Sequence, residues 1–580
     1  MGRFNLLDEP WISVITESGE KKEVSMLELF KNAGDYIQLA GEMENQNFAI
    51  MRFLLSVVQT VFSRFDFNGD ILPGVDLDDN GRQLENVDED DMDEYCLLVA
   101  ECWDKLYSEH NFPVVVCDYL EKWRDRFYLF DNLHPFFQVT KNEMDIIMSR
   151  IPGRGSPTSI FGKNINRTIS ESENKSALFS PIANTACGKR TAKDVMSPAE
   201  FARWLIMFHG YSGLADKVSL TDKTQRPSKG WLFDIGGIFL KGGTVYETLV
   251  INYLPESPTD NQAFIGRCQK PCWELNGIDV IENLCRNSFI DNLAELYTNW
   301  SRAIYVDPDI DISAPVEIQV VKLPEIEHTE NSIEPMTMWK WNDNGPNKNH
   351  FTPKKHSPEQ ALWRNFGCII LKSASDDKNN KQAQRQPGIL SQRMRIANSQ
   401  KNSGLTDLVG VGMKDDGNAT SWLPVNEIAD SFRINNLLIE TGTDGARDDW
   451  ILRINNSVET TKEVVSEKFR SFLRGISQIR NLSDVSHLSF VSVETEKMYS
   501  IIDSAFKEWL VSINPYDSKD IKIKEWYDIL KKMVLKRGEE LFDNSSSRDL
   551  TGIEKDGKLI NIATRYWQFV GSVNKKLNKN

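Results

Sequence analysis

The chain has 580 residues, 40% hydrophobic and 26% charged, with 68 lysines and arginines against 84 aspartates and glutamates and a formal net charge of -16. That composition is long and apolar enough for two or more globular domains and excludes a chain disordered throughout. No apolar run approaches the roughly 20 residues a bilayer crossing needs, the start Met1-Gly2-Arg3-Phe4-Asn5 lacks an apolar signal core, and the cysteines form no disulfide framework, so a reduced, cytoplasmic chain without membrane contact is expected.

In chain order, Phe4 to Val14 reads as a strand pair interrupted by a turn at Asp8-Glu9-Pro10. From Asn47 to Arg64, Ile50, Phe53, Leu54, Val57, Val58 and Val61 recur at the spacing of one helical face, which predicts a helix laid on the core. Between Asp66 and Glu94 twelve acidic residues face the single Arg82, the pattern of an exposed loop. The run Asp88-Glu89-Asp90-Asp91 could in principle hold magnesium for a nuclease, but carboxylates in a solvated run lack the fixed geometry that two-metal chemistry requires.

From Arg150 to Lys193 the balance reverses. Arg150, Arg154, Lys163, Arg167, Lys175, Lys189, Arg190 and Lys193 stand against Glu171 and Glu173, marking a loop that would bind phosphate or a neighbouring protein. Ser197-Pro198-Ala199-Glu200 carries N-cap, first-turn proline and capping-box signals for a helix with Phe201, Leu205 and Phe208 on its apolar face. Beyond it, Gly236-Gly237 and Gly242-Gly243 bracket a hydrophobic run. This is either a hairpin with tight turns or backbone that a ligand can approach closely. Cys268, Cys272 and Cys285 lack the fourth ligand zinc normally takes, and no phosphate-binding glycine motif occurs, so no metal and no cofactor is expected.

The most informative stretch runs from Lys378 to Trp422. Lys378, Lys381, Arg385, Arg393, Arg395 and Lys401 occur with no carboxylate between Lys378 and Thr406, a local basic track that could bind a polyanion although the whole chain is acidic. It leads into Val409 to Trp422, read as strand, tight turn and strand, with Lys414, Gly417, Asn418, Ala419 and Thr420 at a slim polar tip. Helical stripes follow in Val464 to Ile479, Met498 to Leu510, Ile523 to Leu535 and Leu559 to Val570. The expected fold is α+β: a large mixed domain of antiparallel sheets and helices over residues 1–430, then a C-terminal four-helix bundle over 431–580.

Phe4-Asn5-Leu6-Leu7-Asp8-Glu9-Pro10-Trp11-Ile12 resembles the opening signature of the CasA family, the large subunit of the type I-E CRISPR surveillance complex Cascade. His134-Pro135-Phe136-Phe137-Gln138, Gly242-Gly243-Thr244 and Lys414 to Ser421 resemble further segments of that family in the same order. The resemblance implies a noncatalytic, RNA-guided subunit that recognises the protospacer-adjacent motif in double-stranded DNA from the minor groove, opens the duplex with a wedge, and helps recruit a helicase-nuclease for antiviral defence. Its partners would be target DNA, the other Cascade subunits, the guide CRISPR RNA and that helicase-nuclease. Carried over, the wedge falls on Asn418-Ala419-Thr420, the glycine loop on Gly236-Gly237, and the first loop on Arg150 to Lys193 with Phe179 at the family aromatic. Its basic hairpin residue would lie near Glu330 to Ser332, where no lysine stands. A nuclease or a purely architectural subunit remain the readings from other classes.

Overall fold

The computed structural model describes residues 2–578 apart from 152, 154, 162–195, 223–224, 256–263, 288, 312–315, 330–332, 358–359, 372–383, 391–403, 419–423, 440–444 and 556. The chain divides into two compact units. One comprises Met1–Pro358, Ser373–Gln392 and Val409–Asp430, the other Glu359–Lys372, Arg393–Leu408 and Ser431–Asn580.

The first unit is α+β and is built around the helix Glu44–Phe62. The sequence predicts one buried stripe, but every residue of this helix except Glu44 and Asn47 is buried, so it is a central helix enclosed on all sides. Several of its buried polar side chains are paired: Ser56 donates to the Phe53 carbonyl, Thr60 to that of Ser56, and Gln59 Nε2 to that of the distant Leu254 at 3.0 Å. The helices Pro198–Tyr211, Leu293–Tyr297, Val245–Asn252 and Val115–Lys122 pack around it.

Small antiparallel sheets clothe this core. Ile12–Thr16 lies between Lys21–Val24 and Tyr36–Leu39, whereas Arg3–Asn5 pairs with Tyr128–Phe130. The opening is therefore not a strand paired with itself. Phe4 takes a left-handed conformation (φ 59°), the Asn5 side chain accepts the Leu7 N–H at 2.9 Å, and Leu6 and Leu7 are fully buried, so the chain dives inward between two sheets. The acidic segment also differs from the expected exposed loop. Leu72, Val75 and Val87 are buried against Tyr95 and Val99 of the helix Met92–Ser108. Its aspartates shape turns: Asp66 Oδ1 accepts the N–H groups of Asn68 (2.8 Å) and Asp70 (2.9 Å), and Asp78 Oδ1 those of Asn80 and Arg82 (2.9 Å each).

At the Pro198–Tyr211 helix, Ser197 Oγ accepts the Glu200 N–H at 3.1 Å as the sequence pattern anticipates. The Glu200 side chain is half-buried, and burial together with the Glu42 charge pushes its carboxyl up to about 7.

In the second unit, Gly445–Glu463 passes through a π-helical segment, Val464–Phe469, into Arg470–Ile479. Asp484–Val511, Lys519–Asp543 and Ile562–Leu577 complete a helical bundle whose members contact in a closed ring. Aromatic rings fill it: Trp526 lies 5.0 Å from Phe506 and 5.5 Å from Trp509, and Phe472 stacks on Phe569 at 5.0 Å. An earlier segment joins this core, because Trp363 stacks on Phe506 at 4.2 Å and its indole N–H donates to Asp503 at 2.8 Å. Among the described residues, no helix is long and apolar enough to cross a membrane.

His209 lies at the centre of the first unit, with Nε2 3.0 Å from the Phe137 carbonyl and its ring 5.6 Å from Trp300. Burial, only partly opposed by that hydrogen bond, drives its pKa down to about 3, so the native state holds it neutral. The unfolded chain takes up a proton near pH 6.5 and the folded one does not, so stability is present above pH 6.5 and falls as pH drops toward 3. We predict that His209→Gln flattens the acid limb of the stability profile, by on the order of a few kcal/mol between pH 6.5 and pH 4, as read by denaturant unfolding at stepped pH. An unchanged acid limb would rule this out.

Candidate nucleic-acid interface

Three segments of the first unit converge at the end of the short helix Trp231–Ile235. Gly236 ends that helix with φ +63°, a conformation suited to glycine, and the strand Gly237–Lys241 begins at once. This is a helix, turn and strand, not the hairpin considered from the sequence. The strand borders the long strand Leu405–Asp415, which pairs on its other edge with Pro424–Asn435.

Both glycines are buried, and the chain itself fills the space their side chains would need. A Cβ on Gly237 would fall 2.4 Å from two ring atoms of Phe48 and 2.8 Å from Val411. One on Gly236 would meet the Val411 carbonyl at 3.3 Å, the His356 amide nitrogen at 3.5 Å and Lys355 at 3.7 Å. The backbone exposure expected of this pair toward a ligand is therefore corrected: the glycines let the helix end, the Val411 strand and the 355–356 segment come together.

Residues 355–356 follow a second hairpin. Met338–Trp341 pairs antiparallel with Phe351–Lys354, in the register Met338 opposite Lys354 and Trp341 opposite Phe351, and Gln384–Arg385 adds a third strand. Lys340 and Lys348 are exposed on it, Lys348 in the connecting loop. At its base Lys355 is half-buried, its Nζ 4.0 Å from the Phe233 ring centre. Burial lowers its pKa to about 8, against the raising influence of Asp234 and Asp415. The sequence offers no basic residue near Glu330 to Ser332, which lie outside the described residues, and the lysine-bearing hairpin begins a few positions later. Its strands are too short for periodicity to reveal, although the Lys354-Lys355 doublet marks its end.

The tip of the long hairpin is exposed. Lys414, Gly417 and Asn418 face solvent, Gly417 takes φ +73° with open space around it, and the turn is tied by Asp415 Oδ1 accepting the Gly417 N–H (2.9 Å) and Asp416 Oδ1 the Asn418 N–H (3.0 Å). Ala419 and Thr420 lie outside the described residues, as do Lys163, Phe179, Lys189, Arg190, Arg393 and Arg395.

Beneath the turn, Asp234 is shared. Lys229 Nζ is 2.6 Å from Oδ1 and His328 Nε2 is 3.2 Å from Oδ2. For the Asp234 carboxyl the tendency of burial to raise the pKa is outweighed by His328 and Lys229, which hold it below the usual range; for His328 burial is outweighed by Asp234, and its pKa rises. The assembly is anchored by a buried ion pair. Arg52 Nη1 and Nη2 donate to Glu334 Oε1 and Oε2 at 2.7 and 2.8 Å, and Glu334 also accepts the Trp231 indole N–H (2.6 Å) and the Met336 N–H (2.9 Å).

The sequence model of the family described as CRISPR-associated protein Cse1 matches residues 5–536. The chain belongs to the Cse1 family. None of the curated proteins matches it in sequence. Among solved structures it is similar to Thermobifida fusca Cse1 (TM-score 0.73, 20% identity, covering 100% of this chain and 98% of that one). It is likewise similar to Cse1 from Acidimicrobium ferrooxidans (0.68, 17%, 100% and 99%) and CasA from Thermus thermophilus (0.65, 16%, 100% of each). A chain of a CRISPR RNA-guided surveillance complex has the same fold (0.64, 12%, 98% and 99%). The Cse1 and CasA names label one family, so the resemblance carried by Phe4 to Ile12 is confirmed at that level.

The glycines of this Cse1-family chain make separable predictions. Gly237→Ala forces a methyl into the Phe48 ring and is expected to cost about 2 kcal/mol or more by overpacking, whereas Gly417→Ala meets no neighbour and costs only about 1 kcal/mol of backbone strain. Denaturant unfolding of the two variants checks this. Equal destabilisation would contradict the packing role of Gly237.

Proposed function

We propose that this chain is the noncatalytic large subunit of a type I-E-like, RNA-guided Cascade complex. Its first unit reads a short duplex motif beside the target, opens the duplex and so promotes R-loop formation. Family membership and the fold shared with a surveillance-complex chain support the assembly. The observation that carries the DNA role is that two hairpins with exposed ends, one bearing Lys348 and the other Lys414 to Asn418, are rooted on one glycine-packed turn through Lys355-His356 and Val411. In RNA-guided systems base pairing reads the target sequence and protein reads only the short flanking motif, so a few local contacts suffice in an acidic protein.

The minor groove is about 6 Å wide, and a tip of Gly417 and Asn418 is slim enough to enter it. Asn418 can both donate to and accept from a base edge, offsetting part of the few kcal/mol that unstacking costs. Lys348 takes the basic-hairpin role, contacting phosphate or base edge. The second unit would supply surface for neighbouring subunits and the helicase-nuclease, and exposed Val485, Leu488 and Trp567 are suited to that.

Binding of the assembled complex to target DNA with intact or pre-melted flanking duplex tests this reading. Lys348→Ala should weaken binding and lower the log-log salt slope by about 0.9 if it contacts one phosphate. Asn418→Ala should slow opening of intact duplex while sparing the pre-melted target. Unchanged binding and slope for the first variant, and equal effects on both targets for the second, would leave an architectural subunit instead.

A further inference from the structure

Asp234 and His328 are 94 positions apart in sequence, yet the fold gathers one carboxylate oxygen each from Asp234 and Glu325 and one ring nitrogen of His328 within 4.8 Å of one another. We propose that these three residues bind one divalent transition-metal ion of the zinc class beneath the glycine turn. An imidazole with two carboxylates is a donor set that zinc, cobalt and nickel accept, with water completing the shell. The 3.2 Å separation of His328 Nε2 from Asp234 Oδ2 is close to the ligand-to-ligand edge, about 3.3–3.6 Å, of a tetrahedron with metal bonds of about 2.0–2.2 Å. Side-chain exposures of 14% for Asp234 and 23% for His328 leave the site shielded but reachable by water.

The surroundings hold these donors in place, as outer-shell partners of metal sites do. Lys229 takes Asp234 Oδ1, which turns Oδ2 toward His328. The His328 ring lies 5.3 Å from that of Trp231, whose indole is itself fixed on Glu334. Glu325 is placed by its own backbone, whose N–H donates to the Arg226 carbonyl at 2.8 Å. In the metal-free chain the His328–Asp234 hydrogen bond occupies the position the ion would take. Lys229 opposes a dication electrostatically, and that gives the proposal a signature of its own: removing this ammonium should tighten metal binding. Cys268, Cys272 and Cys285, the thiols where sequence spacing raised a metal, are not part of the cluster, and burial pushes the Cys272 thiol up to about 12.

The test uses the isolated full-length chain without nucleic acid, so its outcome is independent of the proposed DNA role. After chelator treatment, cobalt(II) titration should give visible d–d absorption with no thiolate charge-transfer band, and zinc(II) should displace the cobalt at one ion per chain. His328→Ala and Asp234→Asn should each weaken binding tenfold or more, Lys229→Met should tighten it several-fold, and Cys272→Ser should leave it unchanged. Glu325→Gln, which keeps the shape of the site, replaces His328→Ala as the readout if that variant does not fold. A thiolate band, affinity indifferent to His328, Asp234 and Glu325, or no binding at micromolar metal would each overturn the proposal.

Discussion

The buried Arg52–Glu334 ion pair is the contact on which the candidate interface depends. Its two side chains are 2% and 0% exposed, and the buried charges are offset by the pairing itself and by a second donor on each carboxylate oxygen of Glu334. Arg52 belongs to the central helix, Trp231 to the helix that ends in the glycine turn, and Glu334 to the segment leading into the Lys340–Lys348 hairpin. One carboxylate thus fixes three elements against each other. The backbone continues the join: Ile238 N–H donates to the Met336 carbonyl at 2.9 Å and Thr337 Oγ1 to that of Ile235 at 3.1 Å. Phe48, one helical turn before Arg52, then packs on Gly237, so the same helix sets both the charge anchor and the apolar floor.

Much of the framework was legible in the sequence because it follows from periodicity. The central helix overlaps the expected one to within two or three residues at each end. Three of the four bundle stripes lie within helical segments, the fourth starts in the strand Lys558–Ile560 before entering the helix Ile562–Leu577, and the strand read at Val409 to Met413 lies within a long strand. Periodicity could not show that the central helix is enclosed on all sides, because its buried Asn45, Gln46, Arg52 and Gln59 read as a polar face. Nor could it show Gly445–Glu463, whose sequence is polar, or Leu362–Ile370, which is too short to display a period.

At the site, local sequence carried the glycine pair and the Asn418 tip but not what lies between them. Lys340 and Lys348 sit on strands and a loop without alternation, and Lys355 acquires its lowered pKa from burial in the folded chain, with the Lys229 charge adding to it. The meeting of Asp234 with His328 is a product of tertiary structure alone. In the sequence a glycine pair reads as freedom to approach a ligand, whereas Gly237 is demanded by Phe48, an equally ordinary use of a missing side chain. An acidic chain can nonetheless present small cationic or neutral projections, because charges at a hairpin end act within about a Debye length of 8–10 Å while the distant carboxylates are screened.

The central claim is that the two hairpin ends of the first unit touch duplex DNA beside the guide-paired target. Site-specific photo-crosslinking in the assembled, guide-loaded complex tests it most directly, with the probe placed in turn at Lys348, at Asn418 and, as a control, at Leu488 on the bundle helix Asp484–Val511. The account predicts crosslinks from Lys348 and Asn418 to base pairs flanking the target and none from Leu488. A complex that binds its target yet yields no DNA crosslink from either hairpin would contradict it.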